Sequence, residues 1–203
     1  MILVDEPRWP WRGRLWAHLV SDHSTEELHR FAHSIGKRRV GFQGDHYDVD
    51  EEERQRALDA GAVATPSREL VRRLRDAGLR VRGGLPKWSV LHEGPLPGRS
   101  LAALHRALDG SASGGPGDRP SRHQATAASL RALDAAPMVP QWAVLLDRPD
   151  ETGLLLRFGA TTSHHAITRA TARLVASETW LHEEPEPVVE FLFRGPTSDD
   201  PRA

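Results

Sequence analysis

The sequence predicts an α/β fold, with a small and mainly parallel sheet flanked by helices over residues 1–84. Three observations lead to this prediction. Short apolar runs alternate with segments that carry helix start and stop signals, which is the order typical of a parallel layer. Apolar residues inside those segments recur at helical spacing. A chain of 203 residues, with 38% hydrophobic and 27% charged side chains, is also long and apolar enough to bury a core.

The opening residues predict the first strand and the first helix. "MILVD" is a short apolar run that ends in an acid, which indicates a buried strand with Asp5 at its carboxyl end. Ser24 followed by Glu27 is a capping box and Gly36 is a typical helix stop, so these residues bound a helix. "RRVGF", residues 38–42, is predicted to be the second strand.

The same signals recur in the next forty residues. Asp50 and Glu53 repeat the capping pattern before a helix that Gly61 ends. "AVAT" is predicted to be the third strand. Pro66 suits the first position of a helix that runs to about residue 77.

The pattern changes in the second part of the chain. Residues 85–120 are predicted to hold a loop, a short helix over 101–109 and a linker rich in Gly, Ser and Pro. Residues 121–195 are predicted to form an α+β part with a helix and then elements in β-β-α-β order. The sequence leaves open whether these strands extend the first sheet or form a layer of their own. Residues 196–203 are predicted to be a disordered tail.

Composition excludes several classes of site. The chain has no cysteine, which excludes disulfides, thiolate catalysis and Cys-based zinc sites, so any metal ligands must be His, Asp or Glu. A net charge of -1 argues against wholesale electrostatic binding of nucleic acid, although a local patch leaves such binding open. No apolar run reaches about 18 residues and the start lacks a signal-peptide pattern, so we expect a cytoplasmic protein without a membrane segment. The oligomeric state stays open.

The stretch "QGDHYDVDEEERQ" contains both structural and candidate functional residues. Asp50 and the glutamates 51–53 are explained by helix capping and the helix dipole. Arg54 instead falls on the apolar stripe of that helix, where an unpaired guanidinium is costly. We expect it to pair with Asp48 or Asp5 or to reach into a cleft. A stem lying along the surface with its head in water is the alternative.

A histidine and an aspartate lie in the predicted loop before that helix. His46, Tyr47 and Asp48 follow a predicted strand, at the sheet edge where open α/β folds bind ligands. His46 and Asp48 have the residue types of an acid with an orienting base, or of part of a metal site. Simple loop packing is the alternative interpretation.

Arginine and tryptophan alternate near the start of the chain. "DEPRWPWRGRLWAHL" interleaves arginines with Trp9, Trp11 and Trp16 and ends near His18. Such residues can hold a phosphate and stack on a base or sugar. They can also simply cover the open end of a small core. His29 and His33 have a spacing able to share a metal, but we predict that they lie on a solvated helix face.

Residues 1–84 resemble a known bacterial family in several motifs. "WAHL", "EELHRFA" and "DHYDV" occur in the order found in the family catalogued as domain of unknown function 4031. Positions matching its pattern are Asp5, Trp16, His18, Leu19, Glu27, Leu28, His29, Phe42, Gln43, His46, Tyr47, Asp48 and Arg54. The chain departs from the pattern at Glu6, where the family has Asp, and at His33, where it has a small apolar residue. The resemblance implies a shared site but no reaction.

Together these residues predict a small hydrolase-like enzyme acting on a phosphorylated or nucleotide-like ligand. In this hypothesis Arg14, Arg39 and Arg54 hold the anion, and His18 and His46 move protons. Asp5 and Asp48 orient the two histidines or hold a divalent metal. The ligand site is completed by Trp16, Gln43 and Tyr47. No nucleophilic side chain is apparent, which favours an activated water.

Two other functions remain as alternatives. A non-catalytic ligand-binding or regulatory module would use the same arginines and tryptophans. A metal-dependent nuclease of the acidic-cluster type would need several further acids near Asp5, whereas most acids here are explained by capping.

Overall fold

The structure is a computed structural model that describes most of the chain. The described residues are 1–97, 100–111, 119–136, 140–172, 174–183 and 186–195, without the side chains of 119 and 120. The predicted tail and most of the predicted linker lie outside them. The chain divides into two units, Met1–Leu85 and Pro86–Ala203, and the described residues form one five-stranded sheet in each. No helix among the described residues of either unit has the length and apolar character needed to cross a membrane.

The first unit combines three α-helices with one sheet. Its elements are β1 (Ile2–Val4), β2 (Trp9–Trp11), β3 (Arg14–Ser21), α1 (Thr25–Ser34), a 3-10 turn (Arg39–Gly41), β4 (Tyr47–Asp50), α2 (Glu51–Asp59), β5 (Val63–Ala64) and α3 (Ser67–Asp76). Strand β3 is central, because it pairs antiparallel with β1, β2 and β4. Strand β5 pairs parallel with β1.

The prediction of a mainly parallel first sheet is therefore wrong. Only the β1–β5 pair is parallel. The cause is a hairpin in the segment rich in Arg and Trp, for which no strand was predicted. Arg12 and Gly13 have φ values of 49° and 75°, and they form a two-residue turn with positive φ at both positions. So short a turn reverses the chain and brings β3 back antiparallel to β2.

The predicted second strand is also wrong. Residues 39–41 form a 3-10 turn, in which the amides of Gly41 and Phe42 bond locally to the carbonyls of Arg38 and Arg39. Those groups are thus not available to a sheet ladder. The strand of this region is β4, which begins at Tyr47.

The predicted capping box of α2 is confirmed, whereas only the Ser24 half of the one predicted for α1 is present and α3 starts without a side-chain cap. Ser24 accepts a hydrogen bond from the Glu27 amide at the start of α1. Asp50 and Glu53 form both halves of a capping box at the start of α2. Helix α3 begins at Ser67, one residue after the predicted start.

The two faces of the first sheet are covered differently. Helices α1 and α2 cover one face, with a core of Ile2, Val4, Ala17, Leu19, Leu28, Ala32, Ile35, Phe42, Tyr47, Val49, Ala57 and Ala62. On the other face α3 packs Leu70 and Leu74 against Leu3 and Val20. Because side chains alternate along a strand, His18 and Trp16 share this second face with Val20. Helix α3 thus covers one end of the face and leaves the end bearing His18 accessible.

The second unit has an antiparallel sheet of its own. Its elements are β6 (Ser89–Pro95), α4 (Ala102–Ser111), α5 (Arg119–Asp134), β7 (Trp142–Arg148), β8 (Glu151–Arg157), α6 (His164–Thr171), β9 (Glu178–His182) and β10 (Val188–Arg194). The strand order is β6-β7-β8-β10-β9. The predicted β-β-α-β elements correspond to β7, β8, α6 and β10. Strands β6 and β9 were not predicted; both are edge strands of mixed polar sequence, where the alternation of a half-buried strand is weak.

A buried carboxylate, that of Glu151, lies between two arginines at one end of the second sheet. Glu151 accepts hydrogen bonds from Arg148 at 3.0 Å and from Arg194 at 2.7 Å. Burial opposes ionisation of Glu151, but these bonds outweigh burial and lower its pKa. The carboxylate is therefore charged and ties the β7–β8 turn to the end of β10.

Replacing Glu151 with Gln is expected to destabilise the second unit by about 3 kcal/mol at pH 7, because Arg148 is left buried beside an uncharged partner. A lowered folded-state pKa gives stability that is complete above the ordinary carboxyl value of 4.5 and lost as pH falls through the folded value. Urea unfolding between pH 7 and pH 3 should therefore show the difference between wild type and variant shrinking with falling pH.

The matched control is Glu186→Gln, which removes an exposed partner of Arg157 at 3.2 Å. Its effect should stay below about 1 kcal/mol. A wild-type advantage over Glu151→Gln that stays constant across this pH range would contradict the ionic role of Glu151.

Candidate functional site

The carboxylate of Asp5 fixes the orientation of His18. Asp5 lies just after β1 and is 1% exposed. Its Oδ1 accepts the backbone amide of His18 at 2.6 Å, and its Oδ2 lies 3.0 Å from His18 Nδ1 and accepts the Ser67 hydroxyl at 2.7 Å. Burial opposes the charge of Asp5, but these bonds prevail and lower its pKa. Since an ionised carboxylate only accepts, His18 donates from Nδ1 and keeps Nε2 available for a ligand.

A second buried carboxylate fixes His46 in the same way. Asp45 Oδ1 lies 2.6 Å from His46 Nδ1. Its Oδ2 accepts hydrogen bonds from Arg80 at 2.6 Å and from the Val81 amide at 2.8 Å. The Asp45 pKa is lowered, because these hydrogen bonds outweigh the burial that opposes ionisation. His46 is thereby oriented through Nδ1, with Nε2 on the opposite side of the ring.

Asp48 brings a third group to the two imidazoles. It stands opposite His18 in the β3–β4 ladder, so both side chains leave the same face of the sheet. Its Oδ1 is 3.5 Å from His46 Nε2, and the ring centroids of His18 and His46 are 5.0 Å apart. One ligand atom from each residue lies within 4.8 Å of the other two. We call these residues, His18, His46 and Asp48, the two-histidine cluster.

The two-histidine cluster has the donor set of a divalent metal site. Two ligands about 2.0 to 2.1 Å from a tetrahedral ion lie roughly 3.4 Å apart, close to the separation of His46 and Asp48. Metal-binding histidines usually donate their other ring N–H to a carboxylate or carbonyl. Here both histidines do so, to carboxylates that are buried. In the part of the chain that the structure describes, this is the one group of three His, Asp or Glu side chains close enough to hold a metal.

In the absence of a metal, His46 carries a proton at neutral pH. Burial disfavours its charge, but the hydrogen bonds to Asp45 and Asp48 outweigh burial and raise its pKa to about 9. The bond to His46 in turn lowers the Asp48 pKa. A metal ion binding to His46 would have to displace this proton.

An aromatic cleft opens beside the two-histidine cluster. It has a volume of about 490 Å³ and is lined by Trp9, Trp11, Trp16, Lys37, Gly41, Gln43, His46 and Asp48. Trp9 pairs with Trp16 across the β2–β3 ladder and Trp11 is two residues further along β2, so the three indoles share one face. The Trp9 ring lies 5.9 Å from that of His18. We call this space the tryptophan cleft.

The three arginines predicted to hold an anion are engaged elsewhere. Arg14 pairs with Asp50 and lines a separate cavity of about 410 Å³. Arg39 is buried, with its guanidinium 4.9 Å from the centre of the Phe42 ring. Arg54 donates from Nε to the carbonyl of Asp5 at 2.7 Å, so it reaches the predicted partner residue but not its carboxylate. Their role in anion binding stays a prediction that this placement does not favour.

The other predicted ligand residues divide between the cleft and the core. Trp16 and Gln43 line the tryptophan cleft. Tyr47 is buried on the opposite face of the sheet, with its hydroxyl 2.8 Å from His29 Nδ1. The prediction of a solvated face for His29 is wrong, because its ring is buried between Tyr47 and Phe42. Among the described residues, His29 and His33 belong to no group of three His, Asp or Glu side chains close enough to hold a metal.

Three residues that position the cluster were not among the predicted site residues. Asp45 precedes His46 in "GDHYD", and that adjacency was the available signal. Ser67 follows Pro66 at the predicted start of a helix, and Arg80 lies beyond the predicted end of that helix. Nothing local in the sequence indicates that these residues reach Asp5 and Asp45, because each contact depends on tertiary structure.

Comparison with known families identifies the segment that carries these residues. Residues 2–77 match the family described as Protein of unknown function (DUF4031). The predicted resemblance is confirmed for this segment, and the rest of the chain has no family match. Comparisons with curated proteins and with solved structures gave no match. The DUF4031 segment contains the whole two-histidine cluster with Asp5 and Asp45, whereas Arg80, which holds Asp45, lies beyond it.

Substituting Asp45 with Asn is expected to lower the His46 pKa from about 9 towards its ordinary value of 6.5. The variant keeps an oxygen acceptor but loses the charge, while the burial that disfavours imidazolium remains. NMR titration of the His46 ring protons in metal-free protein would measure the change.

The control is Asp76→Asn, which alters an exposed acid on α3 and should leave the pKa of His46 unchanged. An unaltered His46 pKa in Asp45→Asn would show that Asp45 does not hold the imidazole.

Proposed function

We propose that the first unit, which contains the DUF4031 segment, is a hydrolase. It uses a divalent metal ion at the two-histidine cluster to activate a water for attack on a phosphorylated ligand. One observation carries the proposal. Two histidines, each oriented by a buried carboxylate, converge with Asp48 at one side of an accessible cleft. Histidine and carboxylate ligands with second-shell carboxylates are typical of catalytic metal sites that keep a position for water.

A metal at this position would supply the positive charge that the arginines do not. When bound, a divalent ion lowers the pKa of a coordinated water and attracts the oxygens of a phosphoryl group. The guanidinium groups of Arg14, Arg39 and Arg54 are engaged outside the cleft. Lys37 does line the cleft, but its ammonium group lies 2.6 Å from Glu53. Anion binding in this proposal therefore belongs to the metal.

The composition of the cleft supports an attack by water. None of the described residues that line it is Ser, Thr, Tyr or Cys. Three lining residues, Lys37, His46 and Asp48, are of types that can form covalent intermediates, but Lys37 pairs with Glu53 and His46 lies between Asp45 and Asp48. Hydrolysis by an activated water needs no free nucleophilic side chain. The roles of the chain's own residues follow: His18, His46 and Asp48 would be the ligands, and Asp5 and Asp45 would orient the two imidazoles.

A non-catalytic binding module is a second candidate, favoured by the exposed indoles of the tryptophan cleft. It would use the cleft without chemistry at the two-histidine cluster. The acidic-cluster nuclease is not favoured, because Asp5 and Asp45 are occupied by histidines rather than aimed at a common ion.

Metal binding and hydrolysis test the leading proposal. Native mass spectrometry and elemental analysis of the purified protein should reveal a bound divalent ion. After chelation, Mn²⁺, Co²⁺ and Zn²⁺ should rebind, and the metal-loaded protein should hydrolyse p-nitrophenyl phosphate or bis(p-nitrophenyl) phosphate. His18→Gln and Asp48→Asn should each weaken Co²⁺ binding by more than the roughly 10- to 100-fold typical of second-shell changes, since each removes a ligand.

His23→Gln provides the matched control, because His23 is an exposed histidine of the same unit outside the two-histidine cluster. It should bind Co²⁺ like the wild type. If wild-type protein bound these ions no better than His18→Gln and Asp48→Asn do, the metal site would be refuted. Stoichiometric metal without hydrolysis of either ester would refute the hydrolase and leave the binding module.

A further inference from the structure

The tryptophan cleft exposes an unusual amount of aromatic surface. Trp9 is 57% exposed and Trp11 is 58% exposed. Tryptophan is highly buried on average, because its indole is the largest apolar side-chain group that folding can remove from water. Here the exposed rings adjoin one another and a polar cluster, which is the composition of a ligand site rather than of scattered surface residues.

The indoles are held in place rather than collapsed on each other. Trp16 donates from its indole nitrogen to the carbonyl of Trp11 at 3.1 Å. The rings of Trp11 and Trp16 meet edge-on, at 64° and 5.7 Å between centroids. The guanidinium of Arg12 stacks over Trp11 at 4.5 Å. The Trp9 ring meets that of His18 edge-on, with 5.9 Å between centroids. Because each indole has such a contact, little ordering is required when a flat ligand enters the cleft.

The side-chain amide of Gln43 lies at the cleft, on a loop that backbone hydrogen bonds hold in place. The backbone of Gln43 donates to the His46 carbonyl at 2.9 Å and accepts from the Leu85 amide at 3.1 Å. Its side chain lines the cleft with the indoles. A glutamine amide both donates and accepts hydrogen bonds, which matches the edge of a heterocyclic base.

From this arrangement we infer that the tryptophan cleft binds a nucleobase, with the base stacked on Trp9 and its edge bonded to Gln43. The ligand of the first unit is then a nucleotide, whose phosphate lies towards the two-histidine cluster. This assignment deepens the proposed function, because it names the class of phosphorylated substrate. An aliphatic phosphate would leave the indole faces unused. A sugar can also stack on an indole, so ribose 5-phosphate is the comparison that separates a sugar site from a base site.

Binding to metal-free protein tests the base site without requiring catalysis. Isothermal titration calorimetry would use adenosine, uridine, their 5′-monophosphates, ribose 5-phosphate and an eight-nucleotide single strand, in the presence of a chelator. The nucleosides and nucleotides should bind, and ribose 5-phosphate should bind at least tenfold more weakly. A mononucleotide site gives similar affinities for monophosphate and oligonucleotide, whereas a site for nucleic-acid strands favours the oligonucleotide. Either of these outcomes supports base binding.

Variants locate the site. Trp9→Ala should weaken nucleoside binding by about 5- to 150-fold, the range for removal of one stacking partner, and Trp9→Phe should restore part of the loss. Gln43→Ala should weaken binding of the nucleosides as well. Leu15→Ala is the matched control: Leu15 is exposed on the same hairpin but does not line the cleft, so binding should be unchanged.

The outcomes separate this inference from the hydrolase. Nucleoside binding that depends on Trp9 in a protein without hydrolytic activity would support the base site while the proposed reaction fails. Equal affinity for ribose 5-phosphate and the nucleosides, or nucleoside binding unchanged in both Trp9→Ala and Gln43→Ala, would overturn the base site. Ester hydrolysis could still be present in that case.

Discussion

The buried carboxylate of Asp5 is the contact on which the first unit depends. It bonds to the backbone and ring of His18 on β3 and to the hydroxyl of Ser67 at the start of α3. A buried charge is costly unless it is hydrogen-bonded, and these donors satisfy it. Arg54 adds a bond from α2 to the carbonyl of the same residue. The bonds that join the sheet to two helices therefore also fix the imidazole of His18, so the fold and the candidate site are stabilised together.

The sequence predicted the local features of this unit better than its sheet. Helices α1 and α2 were predictable because their caps, Asp50 with Glu53 being the clearer, act within one turn. Helix α3 was predictable from Pro66 at its start. The hairpin of β2 and β3 was missed, since its turn is Arg-Gly and its strands carry tryptophans and arginines instead of a clean alternation. Parallel pairing was inferred from element order alone, and element order does not encode a two-residue turn.

The meeting of His18 with His46 was predicted, but through a different geometry. A parallel sheet would have brought the two segments together at its carboxyl edge. In the structure, antiparallel pairing of β3 with β4 sets His18 opposite Asp48, and the loop before β4 carries His46 back over the same face. Because side chains alternate along β3 and β4, one face of these strands contributes to the core and the other face contributes to the site. The contact of Asp45 with Arg80 could not be predicted, because it spans 35 residues.

The charges around the two-histidine cluster bear on what the site can bind. In the metal-free protein Asp45 pairs with Arg80 and Asp48 lies beside the protonated His46. The Asp5 carboxylate is held by hydrogen bonds from His18 and Ser67. Replacing the His46 proton with a divalent ion adds one net positive charge at a position open to the cleft. A site of that charge attracts an anion, and the attraction is strengthened where low-dielectric indoles exclude water. Under the proposed function, the phosphate of the ligand is therefore attracted after the metal has entered.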